Sequence, residues 1–362
     1  MNSPTHTGSA RCPVGGTRAW PPTGRQTGES RSSMAEGETP TVSPTKIDVV
    51  YTWVDDTFPG YAETLREFAT TRHDANPNRT RDNLEMLRYS LRSLERHAPF
   101  VRRVHLLTCR PQVPDWLNAE HPDISVVHHD EIMAPSVLPT FNSFAIISHL
   151  GKMAGVSERF LYCEDDTLFL SRARLPDFLR DDGHTRVFAK NRDAPVHART
   201  KPDDSPWNLS LANANAALDR AFTPHPRRFL AHGPRLIERQ SFEEMCDRFP
   251  EEIAATRASR FRGGDNVPPE YLYPQYLLEK GAGVLASDAE TRRMAGYASI
   301  DNFLPWTWLQ LARLDRLRPV TATLNDNFNN RPNPRVVAHV RNRLKQWFPE
   351  PSRFEHPDRP PA

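Results

Sequence analysis

The sequence predicts an α/β fold built around a mostly parallel sheet. Apolar, β-branched runs alternate with helical patterns between residues 47 and 167, in the order strand, helix, strand, strand, helix, strand. Acidic residues directly follow two of these runs. Because ligands of such sheets bind beyond the carboxyl ends of the strands, we expect the acids to share one functional edge.

The first elements follow from their residue patterns. Residues 47–54 read IDVVYTWV, a β-branched and aromatic run that ends at Asp55 and predicts a buried strand. A helix comes next, because Asp82 can cap it together with Glu85 and leucines repeat at helical spacing up to Pro99. The elements predicted after it are strands over 101–108 and 124–129, a short helix over 141–150 and a strand over 158–167.

Composition divides the chain into three parts. Residues 1–46 are dominated by Pro, Gly, Ser and Thr, and we expect them to form a disordered tail. Residues 47–330 form the predicted folded domain, with a helical insertion or cap over about 172–320. The helices predicted in that insertion cover 208–221, 234–248, 270–280 and 303–313. Residues 331–362 are a C-terminal extension whose prolines predict a frayed end.

Charge and cysteine content exclude several classes of protein. The 47 Lys and Arg residues against 45 Asp and Glu leave a net charge of +2, too little for non-specific binding to nucleic acid. No run approaches the ~18 consecutive apolar residues of a membrane span, so we expect no transmembrane segment. The four cysteines form no CxxC pair, which argues against a zinc ribbon or a disulfide framework and favours the cytoplasm.

Two groups of oxygen ligands lie at predicted strand ends. Glu164, Asp165 and Asp166 directly follow one apolar run, whereas Asn325 and Asp326 follow another. Adjacent carboxylates repel each other unless a cation lies between them, and Mg²⁺ prefers such oxygen ligands. A solvated acidic turn explains the first group equally well, and a plain turn is the commoner interpretation of the second.

Three cations are candidates for binding a phosphate, and one histidine is a candidate general base. Arg81 stands beside a predicted helix start, where amide groups also favour an anion, and Arg262 shares a Gly-rich loop with Asp265. Lys190 is the third cation, although a surface position is the commoner interpretation of any single cation. His232, in an Ala-His-Gly-Pro turn, could accept a proton from an attacking hydroxyl or be structural.

Six short stretches, taken together, resemble a known family. They are IDVVYTWVD at 47–55, RDNLE with RYSLRSL at 81–94, LPTFNS at 138–143, SERFLY with its acids at 157–166, AHGP at 231–234 and the Asn-Asp pair at 325–326. In this order they resemble the four conserved regions of the Stealth family. The resemblance implies a nucleotide-diphosphosugar-transferase-like sheet and a phosphotransferase of capsule or exopolysaccharide biosynthesis. Such an enzyme moves a hexose with its β-phosphate from a UDP-sugar to a sugar hydroxyl and releases UMP.

The resemblance also implies roles for individual residues. The nucleotide-sugar site would contain Asp48, Trp53, Asp55, Arg81, Asp82, Asn83 and Asn142. Mg²⁺ or Mn²⁺ would be held by Asp165, Asp166, Asn325 and Asp326. The catalytic residues would be the base His232 together with Asp166, Arg262 and Asp265. The implied partners are a UDP-hexose donor and a saccharide or polysaccharide acceptor, in the cytoplasm or at the inner face of the cell membrane beside the capsule assembly machinery.

Two positions depart from the family pattern. Glu164 stands where the family usually has Asn before its acid pair, and Gly233 stands where a Thr is usual. The added negative charge and the freer loop leave two alternatives open. One is a metal-dependent glycosyltransferase that releases UDP, and the other is an inactive protein that binds sugar nucleotides.

Overall fold

The computed structural model describes residues 46–71, 74, 82–201, 204–328 and 331–359. The predicted disordered tail lies outside these residues except for Lys46. Within the described part, the strands are β1 (Ile47–Thr52), β2 (Val101–Thr108), β3 (Ile124–His128), β4 (Arg159–Glu164), β5 (Thr167–Phe169), β6 (Thr185–Val187), β7 (Ala189–Asp193), β8 (Arg228–Leu230), β9 (Arg235–Glu238), β10 (Gly283–Leu285), β11 (Ala295–Ile300) and β12 (Thr321–Asp326). The α-helices there are α1 (Tyr61–Phe68), α2 (Met86–His97), α3 (His129–Ile132), α4 (Ser143–Ile147), α5 (Pro206–Ala221), α6 (Arg239–Arg248), α7 (Pro250–Ala258), α8 (Pro269–Lys280), α9 (Asp288–Met294), α10 (Leu304–Leu317) and α11 (Pro334–Trp347).

The central sheet has five strands in the order β3-β2-β1-β4-β9. The first four are parallel to one another, and β9 is antiparallel to β4. Val49, Val50 and Tyr51 of β1 are fully buried, as expected of a central parallel strand that is covered on both faces. The predicted mostly parallel α/β fold is therefore confirmed.

A second sheet meets the first at the acidic run. Its order is β11-β12-β5, with β11 parallel and β5 antiparallel to β12. Only Asp165 and Asp166 separate the end of β4 from the start of β5. The backbone N–H of Leu324 in β12 donates to the carbonyl of Asp166 at 3.1 Å. The two predicted groups of oxygen ligands are therefore neighbours, as their strand-end positions suggested.

The N-terminal boundary of one helix differs from the prediction. Helix α2 begins at Met86, because Glu85 has a φ of 56° and turns the chain before the helix. The Asp82 carboxylate still accepts a hydrogen bond from the Met86 N–H, at 2.6 Å. Asp82 thus accepts a hydrogen bond from the first N–H group of the helix, although it lies in the turn before it.

The predicted helix over 234–248 is wrong over its first residues. Residues 235–238 instead form β9 at the edge of the central sheet, with Leu236 and Ile237 buried, and the helix begins at Arg239. A run of four residues is too short for its periodicity to distinguish a strand from a helix. The segment 172–320 is accordingly more than a helical cap, because it supplies strands to both sheets.

The predicted frayed C-terminus is also wrong up to residue 359. Helix α11 buries Val336, Val340 and Leu344 completely in the core. Beyond it, Glu355 is 6% exposed and forms ion pairs with Arg88 and Arg92 of α2. The prolines here start a helix or mark turns rather than disorder. Of the helices described, none is long and apolar enough to cross a bilayer.

Candidate functional site

The acidic run after β4 brings three carboxyl groups close together, and two of them have raised pKa values. Burial raises the pKa of Asp165 to about 8, and the charges of Asp82 and Glu164 add to the effect. The pKa of Asp166 is likewise raised, by burial and by the two acids that precede it. Its Oδ1 atom is buried and has no hydrogen-bond partner among the described residues. This arrangement is typical of a site that awaits a cation.

The end of β12 adds Asn325 and Asp326 to this site. We name Asp165, Asp166, Asn325 and Asp326 the acidic cluster. The Asn83 side-chain amide donates to Asp326 Oδ2 at 3.1 Å, and burial raises the pKa of Asp326. Asn325 lies by the hydroxyl of Tyr297, whose pKa is raised by burial and by the charge of Asp166. The structure thus joins the turn before α2 and the ends of β4 and β12.

These residues fit a hard divalent cation in charge and in ligand chemistry. Among the described residues, no three His, Cys, Asp or Glu side chains form a ready metal cage. The predicted set of Asp165, Asp166, Asn325 and Asp326 nevertheless offers only oxygen atoms, which Mg²⁺ and Mn²⁺ prefer. A bound cation would lower the raised pKa values of these carboxyl groups and pair with the free Asp166 oxygen.

His232 lies beside Glu164, in the turn between β8 and β9. Its Nδ1 atom is 3.8 Å from Glu164 Oε2, and its ring centroid is 5.4 Å from that of Tyr297. Although burial alone would raise the pKa of Glu164, the contact with His232 and the charges of Arg235 and Arg262 hold it at about 2. Glu164 is therefore a carboxylate at neutral pH and faces the imidazole.

The glycine after His232 suits the backbone of this turn. Gly233 has a φ of 147°, a value that residues with side chains rarely adopt. A Cβ atom at this position would also lie 3.2 Å from Thr321 Oγ1. The departure from the family's usual Thr thus has a local structural reason in this chain.

Arg262 is held by a network centred on Asn142. The fully buried Asn142 amide donates to the carbonyl of Ser259 at 3.0 Å and to Asn266 Oδ1 at 2.8 Å. Its Oδ1 accepts from the Phe144 N–H and caps α4. The buried Asn142 side chain therefore holds the loop that carries Arg262 in place.

The Arg262 guanidinium is largely removed from water. Its Nη2 donates to Ser143 Oγ at 2.5 Å, and its Cζ lies 4.4 Å from the Phe144 ring centroid. Burial lowers its pKa, which the charges of Glu270 and Glu164 partly offset. Asp265 is exposed on the same loop, and its Oδ1 accepts from the Asn266 amide at 3.0 Å.

Sequence reasoning missed three side chains beside His232 and Arg262. Arg235 begins β9, and its charge acts on Glu164 and Glu270. Glu270 is 4% exposed, and its Oε2 atom has no partner among the described residues. Burial and the charge of Glu164 raise the pKa of Glu270 to about 7. The position of Arg235 directly after AHGP was a usable signal, whereas Glu270 and Tyr297 carried none.

Lys190, the third cation singled out in the sequence, also reaches this region. Its Nζ atom lies 5.0 Å from the centroid of Tyr297, the ring that neighbours His232. Burial and the charge of Arg192 lower the pKa of Lys190. Its position is compatible with contact to an anionic ligand beside the imidazole.

A cleft of about 970 Å³ opens at the carboxyl end of β1. One wall holds four of the predicted substrate-binding residues, namely Trp53, Asp55, Asp82 and Asn83. The lining also contains Arg341 and Lys345 of α11, and Arg341 Nε donates to the carbonyl of Asn83 at 3.2 Å. The sequence did not point to these two cations because residues 331–362 read as a tail.

Of the predicted substrate-binding residues that the structure describes, Asp48 and Asn142 do not line this cleft. Asp48 lies near the amino end of β1, about 13 Å along the strand from its carboxyl end. Its buried carboxylate accepts bonds of 2.8 Å from Arg102 and from the Ser157 N–H. Although burial would raise its pKa, hydrogen bonds from His105 and Arg102 hold the pKa well below its usual value. Arg81 lies outside the described residues.

Comparison with known proteins finds matches to models of the Stealth family and to curated polysaccharide phosphotransferases. Models of Stealth conserved region 2 and conserved region 3 match residues 79–187 and 231–279. An exopolysaccharide phosphotransferase of Streptomyces coelicolor is 37% identical over 322 residues, which are 86% of this chain and 53% of the relative. A capsular polysaccharide phosphotransferase of Neisseria meningitidis serogroup A is 28% identical over 315 residues, which are 85% of this chain and 57% of the relative. The chain thus spans about half the length of these curated relatives.

Solved structures of glycosyltransferases align with the chain at low similarity. The galactosyltransferase LgtC, in complex with donor and acceptor sugar analogues, gives a TM-score of 0.41 at 14% identity and covers 86% of this chain and 98% of its own. Mouse xyloside xylosyltransferase 1 gives 0.36 at 11% identity, covering 78% and 98%. Likenesses of this strength say nothing about the substrate.

Proposed function

The chain belongs to the Stealth family, and on that premise we propose that it is a phosphotransferase of capsule or exopolysaccharide synthesis. It moves a hexose-1-phosphate from a UDP-hexose to a hydroxyl of a saccharide acceptor and releases UMP. One observation carries this proposal. The acidic cluster, His232 and the desolvated Arg262 lie together beside a cleft that is large enough for a nucleotide.

The cleft would receive the nucleotide part of the donor. Arg341 and Lys345 contribute two positive charges to one wall, where they can pair with phosphate oxygens. Trp53 and Asn83, which also line the cleft, supply an aromatic surface and an amide. Asn83 also reaches Asp326, so the cleft and the acidic cluster form a continuous site.

The acidic cluster would hold Mg²⁺ or Mn²⁺ through Asp165, Asp166, Asp326 and the Asn325 side chain. When bound, such an ion offsets the charge of the donor diphosphate and of the leaving group. The acids themselves do no proton transfer in this scheme.

His232 would act as the general base. One ring nitrogen accepts the proton of the acceptor hydroxyl, while Nδ1 faces the ionised Glu164, which stabilises the resulting imidazolium. The acceptor oxygen forms a bond to the β-phosphorus, the bond from that phosphorus to the bridging oxygen breaks, and UMP leaves with the electron pair.

Arg262 would neutralise the phosphoryl group during transfer. Phosphoryl transfer depends chiefly on positioning and on charge stabilisation, and a guanidinium removed from water acts more strongly than an exposed one. Asn142 holds the Arg262 loop in place. Arg235 lies close enough to Glu164 and Glu270 to balance their charges.

The released nucleotide tests the proposal directly. The purified chain would be incubated with Mg²⁺, a panel of UDP-hexoses and a saccharide acceptor, and the products separated by anion-exchange chromatography and mass spectrometry. We expect UMP and an acceptor that has gained a hexose phosphate. Release of UDP would instead identify a glycosyltransferase, and donor binding without turnover would identify an inactive binding protein.

One variant tests the acidic cluster in the same assay. We expect Asp166→Asn to lower turnover at least about a hundredfold, because it removes a carboxylate that would hold the cation beside the reacting diphosphate. The matched control is Asp181→Asn, which changes an exposed acid on a surface turn. Equal rates in both variants would remove Asp166 from the mechanism.

A further inference from the structure

Helix α10 is apolar on both of its faces. Its inner face buries Thr307, Gln310, Leu311 and Leu314, where the helix packs on β11. Its outer face and the residue before it expose Phe303, Trp306, Trp308, Leu309 and Leu317, with exposed fractions between 42% and 65%. We name these five residues the α10 ridge. Among the described residues, only Leu285 is another large apolar side chain of comparable exposure.

The core does not explain the ridge. Single exposed apolar residues are ordinary on protein surfaces, but five large apolar residues exposed along one element, from Phe303 to Leu317, mark an interaction site. The inner face already satisfies the packing of α10. The ridge therefore presents two tryptophans, a phenylalanine and two leucines outward with nothing from the described chain to cover them.

The charges on this face are positive. Arg313 and Arg316 are exposed on the outer face, and Arg318 follows the helix. The acid within the helix, Asp315, is engaged by Arg343 at 2.8 Å and by the Trp347 indole at 2.6 Å. The outer face thus combines aromatic and aliphatic side chains with arginines, and arginines near an apolar surface favour anionic headgroups.

We propose that the α10 ridge docks the protein on a bilayer that contains anionic phospholipids. The tryptophans and leucines enter the boundary between headgroups and acyl chains, where Trp is favoured. Arg313 and Arg316 extend their apolar stems along the ridge and pair their guanidinium groups with lipid phosphates.

Other occupants fit the ridge less well. A saccharide would stack on the aromatic rings and bond to the arginines, but it would leave the exposed leucines of the ridge without an apolar partner. A second copy of the chain would bring arginines against arginines across a two-fold interface. Anionic headgroups complement both the apolar surface and its charge.

The ridge begins near the carboxyl end of the second sheet and runs away from it along α10. Strands β11 and β12 are parallel, with Ile300 opposite Asp326, and Phe303 follows only three residues after Ile300. Docking would therefore hold the acidic cluster near the membrane surface. This inference goes beyond the proposed reaction and does not depend on it.

Vesicle co-sedimentation of the full chain tests the proposal. We expect the protein to pellet with phosphatidylcholine vesicles that contain one quarter phosphatidylglycerol, to stay in solution with pure phosphatidylcholine, and to be released by high salt. Failure to bind the anionic vesicles at low salt would overturn the proposal.

Variants locate the binding surface. We expect Trp306→Ser with Trp308→Ser to weaken vesicle binding at least about tenfold, and Arg313→Gln with Arg316→Gln to weaken it similarly. The matched control, Leu285→Ser, should bind as the wild type does, and circular dichroism would confirm that each variant is folded. Unchanged vesicle binding in both double variants would overturn the proposal.

Two further measurements separate the competing occupants. Loss of oligosaccharide binding in the tryptophan variant, with vesicle binding intact, would reassign the ridge to the acceptor. A concentration-dependent dimer in sedimentation velocity that the tryptophan variant abolishes, with vesicle binding intact, would reassign it to a second copy. Either result would overturn membrane docking.

Discussion

Neighbouring carboxyl groups in this site ionise at very different pH values. Contact with His232 and the charges of two arginines keep Glu164 ionised despite burial, with a pKa of about 2. Burial instead raises the pKa of Asp165 to about 8. Neighbouring titratable groups whose pKa values differ this much usually have separate roles. This split supports the proposal that Glu164 pairs with the histidine and Asp165 binds a cation.

Glu270 gives a residue-level prediction about stability and pH. Burial and the charge of Glu164 raise its pKa from 4.5 to about 7 in the folded chain. Between these values the folded state holds a proton that the unfolded state has released, so this group lowers stability as pH rises from about 4.5 to about 7. We expect Glu270→Gln to be more stable than the wild type at pH 8, by up to about 3 kcal/mol, and nearly equal to it at pH 5.

Urea denaturation of both proteins at pH 5 and pH 8 measures this difference. Glu120→Gln, which changes an exposed acid, serves as the control and should show no change at either pH. The same stability difference between Glu270→Gln and the wild type at both pH values would contradict the prediction.

At the scale of elements, helix α11 forms one wall of the proposed donor cleft. Val336, Val340 and Leu344 anchor its inner side in the core. This anchoring places Arg341 and Lys345 toward the carboxyl end of β1. A segment that reads as an extension in the sequence therefore completes the site.

Replacement of Arg341 tests this role. We expect Arg341→Ala to raise the KM for the UDP-sugar about tenfold, because a charge-assisted bond to phosphate would be lost, with a smaller effect on kcat. Steady-state kinetics over a range of donor concentrations measures both constants. Arg335→Ala, on the exposed side of the same helix, is the control, and an equal rise in its KM would contradict the assignment.

The elements also show where local patterns fail. The ends of β4 and β12 were predicted from apolar runs that stop at acids, and the structure joins them through a backbone bond between Leu324 and Asp166. Strand β9 was missed because four residues carry too little periodicity. Asn142 was assigned to substrate by resemblance, whereas its buried amide binds the Arg262 loop.

At the scale of the whole molecule, the C-terminal segment is fastened to the N-terminal half by buried charge. Glu355 accepts bonds of 2.6 Å from Arg88 and from Arg92 of α2, and all three side chains are buried. The Ser352 N–H donates to the same carboxylate at 2.8 Å. The two arginines thus share one acid more than 260 residues away in the sequence, and Arg88 also pairs with Glu85 at 3.8 Å.

Removal of that acid should destabilise the whole fold. We expect Glu355→Ala to lower the free energy of unfolding by about 3–5 kcal/mol, because two buried guanidinium groups would lose their partner. Equilibrium denaturation measures the loss, and Glu350→Ala, at an exposed acid in the same segment, should change little. A loss below about 1 kcal/mol for Glu355→Ala would show that the clamp is dispensable.

The sequence by itself determined the α/β class, the central strands and the acids at two strand ends. These features are local, since an apolar run that stops at Asp or Asn carries its own signal, and the resemblance to the Stealth family through Asp166, His232 and Arg262 rested on such short runs. Models of conserved regions 2 and 3 confirmed the family.

Only the tertiary structure decided which distant residues meet. Arg341 reaches the cleft, Glu270 faces Arg262 and Glu355 clamps α2 through contacts between segments far apart in the chain. It also showed that α10 keeps an apolar face after its packing is complete. Burial, desolvation and charge pairing arise from the packed chain as a whole, so no local pattern could reveal them.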